Sequence, residues 1–471
     1  MIFNSFNFIV LFPFIFLLYY AIPAGHGRAR NLFLLVVSYL LYMQWKPAYA
    51  LVQLGVTVVT WLAALLLEKT RHPKRMLAAG VVLALLPLFL FKYLGFAGEA
   101  IGQALAVAGL QFHLTGLNWA IPVGISFFTL QALGYLRDVY YGQQEAERDF
   151  LTYALFVSFF PCILAGPINR ASLVIPQLKR LRPYLDYAKA VEGLRMLLWG
   201  MFMKVVVADR VALYVDTVFG SYANYTGMTC LVASLLYSVQ IYADFAGYSL
   251  MAIGVGRVFG IELAENFRRP YFAVSVTDFW HRWHISLSTW LRDCIYIPLG
   301  GSRCAKLRCY WNILVTFLVS GIWHGASWTF IAWGLLHGIS QVIEKMLGQQ
   351  KCSYGWLGRT VKTAVTFLLV TFAWIFFRMP TLGDACNVVA RILDTSLPKT
   401  VYSPGGTATL YMLLAVGTMV VKDTVEEAFG ETRLPFHSGR RVVRWASYLA
   451  VLVLILLCGV FSSDQFIYAN F

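Results

Sequence analysis

The chain has 471 residues, of which 59% are hydrophobic and only 13% are charged, and its mean hydropathy is +0.66. Soluble domains carry about a quarter charged residues, so this composition excludes a soluble globular protein and indicates an integral membrane protein. The formal net charge of +15 would suit nucleic-acid binding, but the placement of the basic residues, described below, argues against that class.

Apolar runs recur from end to end and are the main structural signal. A helix of roughly 20 residues crosses a bilayer core, and backbone groups in lipid must be bonded internally, so the runs predict α-helices and exclude a barrel. We predict an all-α integral membrane bundle of about 11 spans with a few shorter ones. The runs lie at residues 7–24, 31–45, 48–67, 76–95, 118–136, 150–166, 193–216, 228–260, 310–345, 361–377, 407–421 and 442–461.

The basic residues are concentrated in alternate loops near the N-terminus. Loops 25–30 and 68–75 contain two and four Lys or Arg residues, whereas loop 45–49 contains only Lys46. The positive-inside rule makes the two basic loops cytoplasmic and places the N-terminus outside. Residues 1–24 lack a basic n-region, and their apolar stretch is longer than that of a secretory signal, so we expect a retained first span. The main charge partners are then lipid headgroups, with a phosphate-rich cytoplasmic thioester as the alternative.

No polar interval is long enough to fold alone, so we expect one polytopic domain over residues 1–471. The interval 261–309 has the most informative pattern. Ser275 followed by Asp278 predicts a capped helix start, and we expect one helix over about 276–293 with an Asp278–Arg282 ion pair. Its tryptophans and arginines predict an interfacial or re-entrant segment.

Three polar side chains would share one face of that helix, namely His281, His284 and Ser288. Two histidines at this spacing hold a metal only if a third or fourth ligand is near, and neither an HExxH nor a carboxylate-rich pattern accompanies them. The eight cysteines are scattered and form no CxxC pair. We therefore expect neither a metal nor a bound cofactor.

The stretch GIWHGASWTFIAWGLLHG, residues 321–338, places two histidines in an apolar run. Each histidine lies beside glycines spaced as in close helix packing. His324 is about a dozen residues into the run, where ionisable groups usually mark a pathway or a reaction site. Burial favours the neutral imidazole that a general base requires. For His337, nearer the polar end of the run, we favour a packing role.

Charged residues within or beside apolar runs leave a secondary transporter or channel open as an alternative. They are Lys92, Lys204, Asp209, Asp216 and Asp244. Corresponding broken segments in two halves, which inverted repeats would give, are not found. A scaffold without activity is a third alternative, and it predicts that His324 is replaceable.

Several of these stretches together resemble the membrane-bound O-acyltransferase family, in the bacterial branch that contains alginate O-acetyltransferase membrane components and the teichoic-acid D-alanyl transfer protein. The resemblance extends over almost the whole chain. It rests on FWHRWHISLSTWLRDCIYIPLGG, GIWHGASWTFIAWGLLHG, IPVGISFFTLQALGYLRDVYYG, FPCILAGPINR, YADFAGYSLMAIG, ENFRRPY, WIFFR and the terminal FIYANF. Two departures are WHRWH, which leaves a role for His281 in doubt, and YADFAGYS in place of FDFSGYS.

The resemblance implies transfer of an acyl group to a hydroxyl. His324, in the WHG motif, would be the principal catalytic residue, and His284 would face the same central tunnel. Supporting or substrate-binding positions would be Asp244, Asn266, Ser288 and Trp323.

The resemblance also implies the substrates and partners. A cytoplasmic acyl thioester, most simply acetyl-CoA, would meet an extracytoplasmic acceptor across the bacterial cytoplasmic membrane. The acceptor would be a cell-envelope polysaccharide such as alginate, cellulose or peptidoglycan, reached directly or through a periplasmic SGNH-type acetyltransferase. D-alanyl transfer to teichoic acid is the alternative within the family.

Overall fold

The computed structural model describes residues 3, 5–107, 120–164, 166–181, 184–348 and 355–461, so the terminal FIYANF segment lies outside the described residues. Regular structure within these ranges is helical and includes no strand. The prediction of an all-α membrane protein is confirmed, because several of the helices are long and apolar enough to cross a bilayer.

The described chain divides into two compact units, and the first consists of residues 1–193 and 255–264. Its α6 (Ile125–Tyr140) is buried along nearly its whole length and packs against α3 (Pro47–Leu67) and α4 (Pro73–Leu88). The helices of this unit are α1 (Phe6–Ala21), α2 (Gly27–Met43), α3 (Pro47–Leu67), α4 (Pro73–Leu88), α5 (Leu94–Val107), α6 (Ile125–Tyr140), α7 (Phe150–Ser158), α8 (Phe160–Ile163), α9 (Ala171–Lys179) and the first half of α10 (Tyr187–Met201).

The second unit consists of residues 194–254 and 265–471 and carries both histidine motifs. A π-helical stretch, Phe202–Ala208, follows α10. The apolar run 228–260 forms one helix of 32 residues, α12. The remaining helices are α11 (Asp209–Gly220), α12 (Gly227–Val258), α13 (Val276–Arg282), α14 (Ile285–Leu291), α15 (Lys306–His324), α16 (Trp328–Met346), α17 (Trp356–Arg378), α18 (Leu382–Leu393), α19 (Gly406–Phe429) and α20 (Arg441–Cys458).

Six helical segments of the described chain combine the length and the hydropathy of a membrane span, and α1 is apolar but shorter. This number is below the predicted count of about 11, because several runs form shorter or less apolar helices. Run 150–166, for example, is broken into α7 and α8, and run 310–345 into α15 and α16. The six segments are Pro47–Leu67, Pro73–Gly102, Gly227–Val258, Trp356–Arg378, Gly406–Phe429 and Arg441–Cys458.

Candidate active site

The two helices of the histidine hairpin, α15 and α16, pack with almost no space between their backbones. A Cβ atom on Gly321 would lie 2.4 Å from the carbonyl oxygen of Phe330, and one on Gly334 would lie 2.4 Å from that of Phe317. Glycine is therefore required at both positions for this approach, as the glycine spacing predicted.

His324 is the last residue of α15 and not, as predicted, a residue in the middle of a continuous span. The chain becomes extended at Gly325, and α16 begins after Ser327, whose hydroxyl accepts from the Thr329 amide at 3.3 Å. The break follows from the Ser cap and the glycine, which interrupt an otherwise helical pattern. His324 thus lies where irregular backbone meets the end of a helix.

The imidazole of His324 is only 2% exposed and is surrounded by aromatic rings. Its centroid lies 4.8 Å from Trp323, 4.8 Å from Trp333 and 5.3 Å from Phe377, each at a steep interplanar angle. Aromatic walls exclude water and strengthen electrostatic interactions inside a site. The predicted burial of His324 is confirmed.

His337 lies farther along α16 and contacts Trp333, as His324 does. Its centroid is 5.1 Å from the Trp333 ring, and its Nδ1 accepts a hydrogen bond of 3.3 Å from the indole of Trp280. The imidazole is almost completely buried. The contacts agree with the packing role favoured from the sequence.

The segment predicted as one helix over about 276–293 is two helices, α13 and α14, separated at Trp283 and His284. His284 has φ 42°, in the left-handed region, which costs a non-glycine residue about 1–2 kcal/mol. The expected row of His281, His284 and Ser288 on one helix face is therefore wrong, and His281 is exposed. Neither helix is long enough to cross a bilayer.

The local details at the start of α13 are confirmed. The Ser275 hydroxyl accepts from the Asp278 amide at 3.0 Å, and the Asp278 carboxylate pairs with Arg282 at 3.0 Å. These contacts are set by neighbouring residues of the chain, which is why the sequence was sufficient to predict them.

His284 is fully buried, and its ring is held by Asn266. Nδ1 lies 2.9 Å from Asn266 Oδ1, and the same oxygen accepts from the Ser286 hydroxyl at 2.9 Å. An amide oxygen only accepts, so Nδ1 carries the proton and the lone pair is on Nε2. Burial also lowers the pKa of His284, so the imidazole is neutral at pH 7.

Ser286, which the sequence does not mark as a site residue, donates its hydroxyl to Asn266 Oδ1. The Ser288 hydroxyl donates instead to the backbone oxygen of Trp283 at 3.2 Å. The left-handed turn at His284 precedes Ser286 in the chain, and the Ser286 amide also donates to Asn266 Oδ1, at 3.4 Å. Nothing in the local pattern signals that turn.

Trp323 connects the two histidine motifs. Its ring centroid lies 6.0 Å from His284 and 4.8 Å from His324. The structure therefore brings together His284, Asn266, Trp323 and His324, although the first and last are 40 residues apart in the sequence. Both imidazoles are buried and contact the same tryptophan ring.

Asp244 is linked to His284 through Phe245, its neighbour in the chain. Its carboxylate lies 2.9 Å from the ammonium of Lys204, which also lies 2.7 Å from Asp209, and all three are almost completely buried. The next residue on α12, Phe245, packs edge-on against His284 at 4.6 Å. Asp244 thus has the partner that a buried carboxylate was expected to need, and it supports the helix that contacts His284.

The same pairs bear on the transporter alternative. Lys204, Asp209 and Asp244 bind one another, and Asp216 pairs with Arg378 at 2.7 Å. Each of these four groups thus has a charged partner within the protein, as ionisable groups inside membrane proteins usually do. Among the described residues there is also no cluster of three His, Cys, Asp or Glu side chains that could hold a metal.

Comparison with known proteins gives a family match that covers the whole site. Residues 144–378 match the family model described as MBOAT, membrane-bound O-acyltransferase family. This range includes both histidine motifs and Asn266.

Similar proteins extend the match over most of the chain. The probable alginate O-acetylase AlgI of Pseudomonas aeruginosa is 40% identical over 391 residues, 82% of this chain and 73% of that protein. The peptidoglycan O-acetyltransferase of Helicobacter pylori is 35% identical over 424 residues, with 83% and 79% covered. The teichoic acid D-alanyltransferase of Bacillus subtilis is 26% identical over 305 residues, with 63% and 75% covered. The chain belongs to the membrane-bound O-acyltransferase family, and is a multi-pass bacterial membrane acyltransferase.

Proposed function

We propose that this protein transfers an acetyl group from a cytoplasmic thioester, acetyl-CoA, to hydroxyls of an extracytoplasmic cell-envelope polysaccharide. Transfer is direct or passes through a periplasmic SGNH-type transferase. Support for acetyl comes from the relatives, since two named as O-acetylating enzymes are 40% and 35% identical to this chain, whereas one named as a D-alanyltransferase is 26% identical. The proposal also includes an extracytoplasmic N-terminus and a central tunnel between the two membrane faces.

The observation that carries this proposal is the contact chain His284, Trp323, His324 in a buried site. Thioesters are already activated, so the enzyme must mainly remove a proton from an alcohol and stabilise an oxyanion. The hydroxyl oxygen attacks the thioester carbonyl carbon, a C–O bond forms and the C–S bond breaks. The hydroxyl proton passes to His324 and then to the departing thiolate.

His284 has a different role in this scheme. With Nδ1 held by Asn266, the Nε2 lone pair can accept a hydrogen bond from a second, neighbouring hydroxyl of the acceptor and so orient the acceptor, while the reacting hydroxyl donates to His324. Trp323 contacts both imidazoles and supplies a flat apolar wall for a small acyl group. Ser286 supports this arrangement by its bond to Asn266, and Ser288 is proposed as a further supporting residue on α14.

The test is acetyl transfer in proteoliposomes that contain purified protein, with labelled acetyl-CoA outside. His324→Ala is expected to lower the rate by about 10²- to 10⁴-fold, the range for a general base. His281→Ala is the matched control, because this histidine belongs to the same motifs but is exposed, and it should be as active as the native protein.

Equal rates for His324→Ala and an active native protein would exclude the general-base role. A native protein that accepts a D-alanyl carrier thioester and not acetyl-CoA would replace acetyl by D-alanyl. If neither donor is consumed after a periplasmic transferase and polysaccharide have been added, the proposed function is wrong.

A further inference from the structure

The loop that holds His284 against Asn266 is strained at two points. Within the described chain, the non-glycine residues with positive φ are Arg269, at 43°, and His284, at 42°. Such conformations persist only where the surrounding structure over-determines them. Both residues lie in the segment that builds the imidazole site, so something must hold this segment.

Two backbone hydrogen bonds tie the arms of the loop to each other. The Arg268 amide donates to the Arg282 oxygen at 2.9 Å, and the Ile285 amide donates to the Asn266 oxygen at 2.9 Å. The first arm, residues 266–269, and the second arm, residues 282–285, therefore move together.

A single carboxylate, Glu427 near the end of α19, is bound to both arms. Its Oε2 accepts from Arg269 Nε at 2.8 Å, and its Oε1 accepts from Arg282 Nη1 at 3.0 Å. The Glu427 side chain is 16% exposed. Charge-assisted hydrogen bonds are roughly twice as strong as neutral ones, and partial burial limits their screening by salt. One side chain thus links the arm that contains Asn266 to the arm that contains His284.

We propose that Glu427 is a positioning residue that sets the orientation of His284 through these two arginines. This inference rests on the proposed acetyl transfer, in which His284 orients the acceptor. Each arginine has one further carboxylate, Glu426 at 3.5 Å from Arg269 and Asp278 at 3.0 Å from Arg282. Removing the Glu427 charge should therefore loosen the loop without releasing it.

The test compares native protein, Glu427→Gln, Asn266→Ala and the double variant, with acetyl-CoA as the donor. Misplacing a group by 1 Å can cost roughly a hundredfold, so partial loosening in Glu427→Gln should lower kcat about tenfold, with KM for acetyl-CoA within about twofold. Because both residues act through His284, the double variant should be no more than about twofold slower than Asn266→Ala. The proposal would be overturned if the kcat losses of the two single variants multiply in the double variant, or if Glu427→Gln has the native kcat.

The control is Glu265→Gln, which removes an ion pair of the same loop. Glu265 pairs with Arg268 on the exposed side, and both side chains are about half exposed. Surface pairs contribute little, so this variant should keep native kcat. A loss equal to that of Glu427→Gln would show a general sensitivity of the loop to charge, which would contradict a specific role for Glu427.

Hydrogen–deuterium exchange gives a readout that does not require acetyl transfer. Peptides containing the Arg268 and Ile285 amides should exchange faster in Glu427→Gln than in native protein or Glu265→Gln, and unchanged exchange would refute the link. If native protein transfers no acetyl group, the proposed function fails. Hydrogen–deuterium exchange alone then decides whether Glu427 holds the two arms of the loop.

If Glu427→Gln does not fold, Arg282→Lys is measured by the same two assays. Lysine keeps the charge but cannot form the planar fork of arginine. Native kcat together with native exchange in that variant would overturn the proposal, whereas the losses described above would support it.

Discussion

The close approach of α15 and α16 allows a sharp prediction for Gly334→Ala. The added Cβ would lie 2.4 Å from the Phe317 oxygen and 3.3 Å from the Gly321 Cα. Ordinary non-bonded contacts lie at about 3.5–4.0 Å, so the first distance is short by roughly 1 Å. Both close atoms belong to backbone, which cannot rotate away as a side chain can. The helices must separate.

Separating the two helices should lower both the stability of the protein and the rate of acetyl transfer. Overpacking a close-packed interior typically costs about 1–3 kcal/mol. Trp333, the residue before Gly334, packs on His324 at 4.8 Å, and so the displacement is transmitted to the imidazole. A shift of this size can lower a rate by up to about 10²-fold. We expect Gly334→Ala to melt earlier and to lose most acetyl transfer.

The assay pairs thermal denaturation with acetyl transfer in proteoliposomes, and Gly417→Ala is the matched control. Gly417 lies within α19, and a Cβ there would meet no atom within 4 Å. Replacing it should be neutral or should stabilise the helix, since glycine costs about 1 kcal/mol relative to alanine. If Gly334→Ala matches Gly417→Ala in melting temperature and in rate, the contact between the helices does not determine the geometry of the site.

Two other predictions concern buried polar groups. Lys204→Met leaves Asp209 and Asp244 buried without their ammonium, which should destabilise the protein by about 3–5 kcal/mol; an unchanged melting temperature in detergent would show that the triad is not a buried ionic cluster. Ser286→Ala removes a hydrogen bond to the amide that holds His284 and should lower kcat by several fold, about the effect of 1 kcal/mol. Ser288→Ala should have the smaller effect, and the reverse order of the two rates would contradict the placement of Ser286.

Features fixed by neighbouring residues could be predicted from the sequence. The Ser275 cap and the Asp278–Arg282 pair depend on side chains within one helical turn. The close packing of the glycines in the hairpin follows from their spacing. A partner for Asp244 was expected on general grounds, because a carboxylate in an apolar run needs one, but nothing in the pattern identified Lys204.

Features set by contacts between distant residues could not be predicted in the same way. The left-handed turn at His284 is held by Asn266, 18 residues earlier, and local preference favours a continuous helix instead. For the same reason, no local pattern predicts the contact of Ser286 with Asn266. The proximity of His284 and His324 was implied only by the family resemblance, since it depends on how α13, α14 and α15 fold together.

The length of α12 has a consequence for the membrane around the protein. At 1.5 Å per residue its 32 residues extend about 48 Å, whereas the hydrocarbon core is about 30 Å thick. Tilt alone could fit it only beyond the usual range of up to about 40°, so at least one end stands in the headgroup layer or in water. Hydrophobic mismatch therefore constrains the depth of this helix in the bilayer only weakly. Packing against the rest of the protein, and not bilayer thickness, sets the depth of α12 and hence of Phe245, which contacts His284.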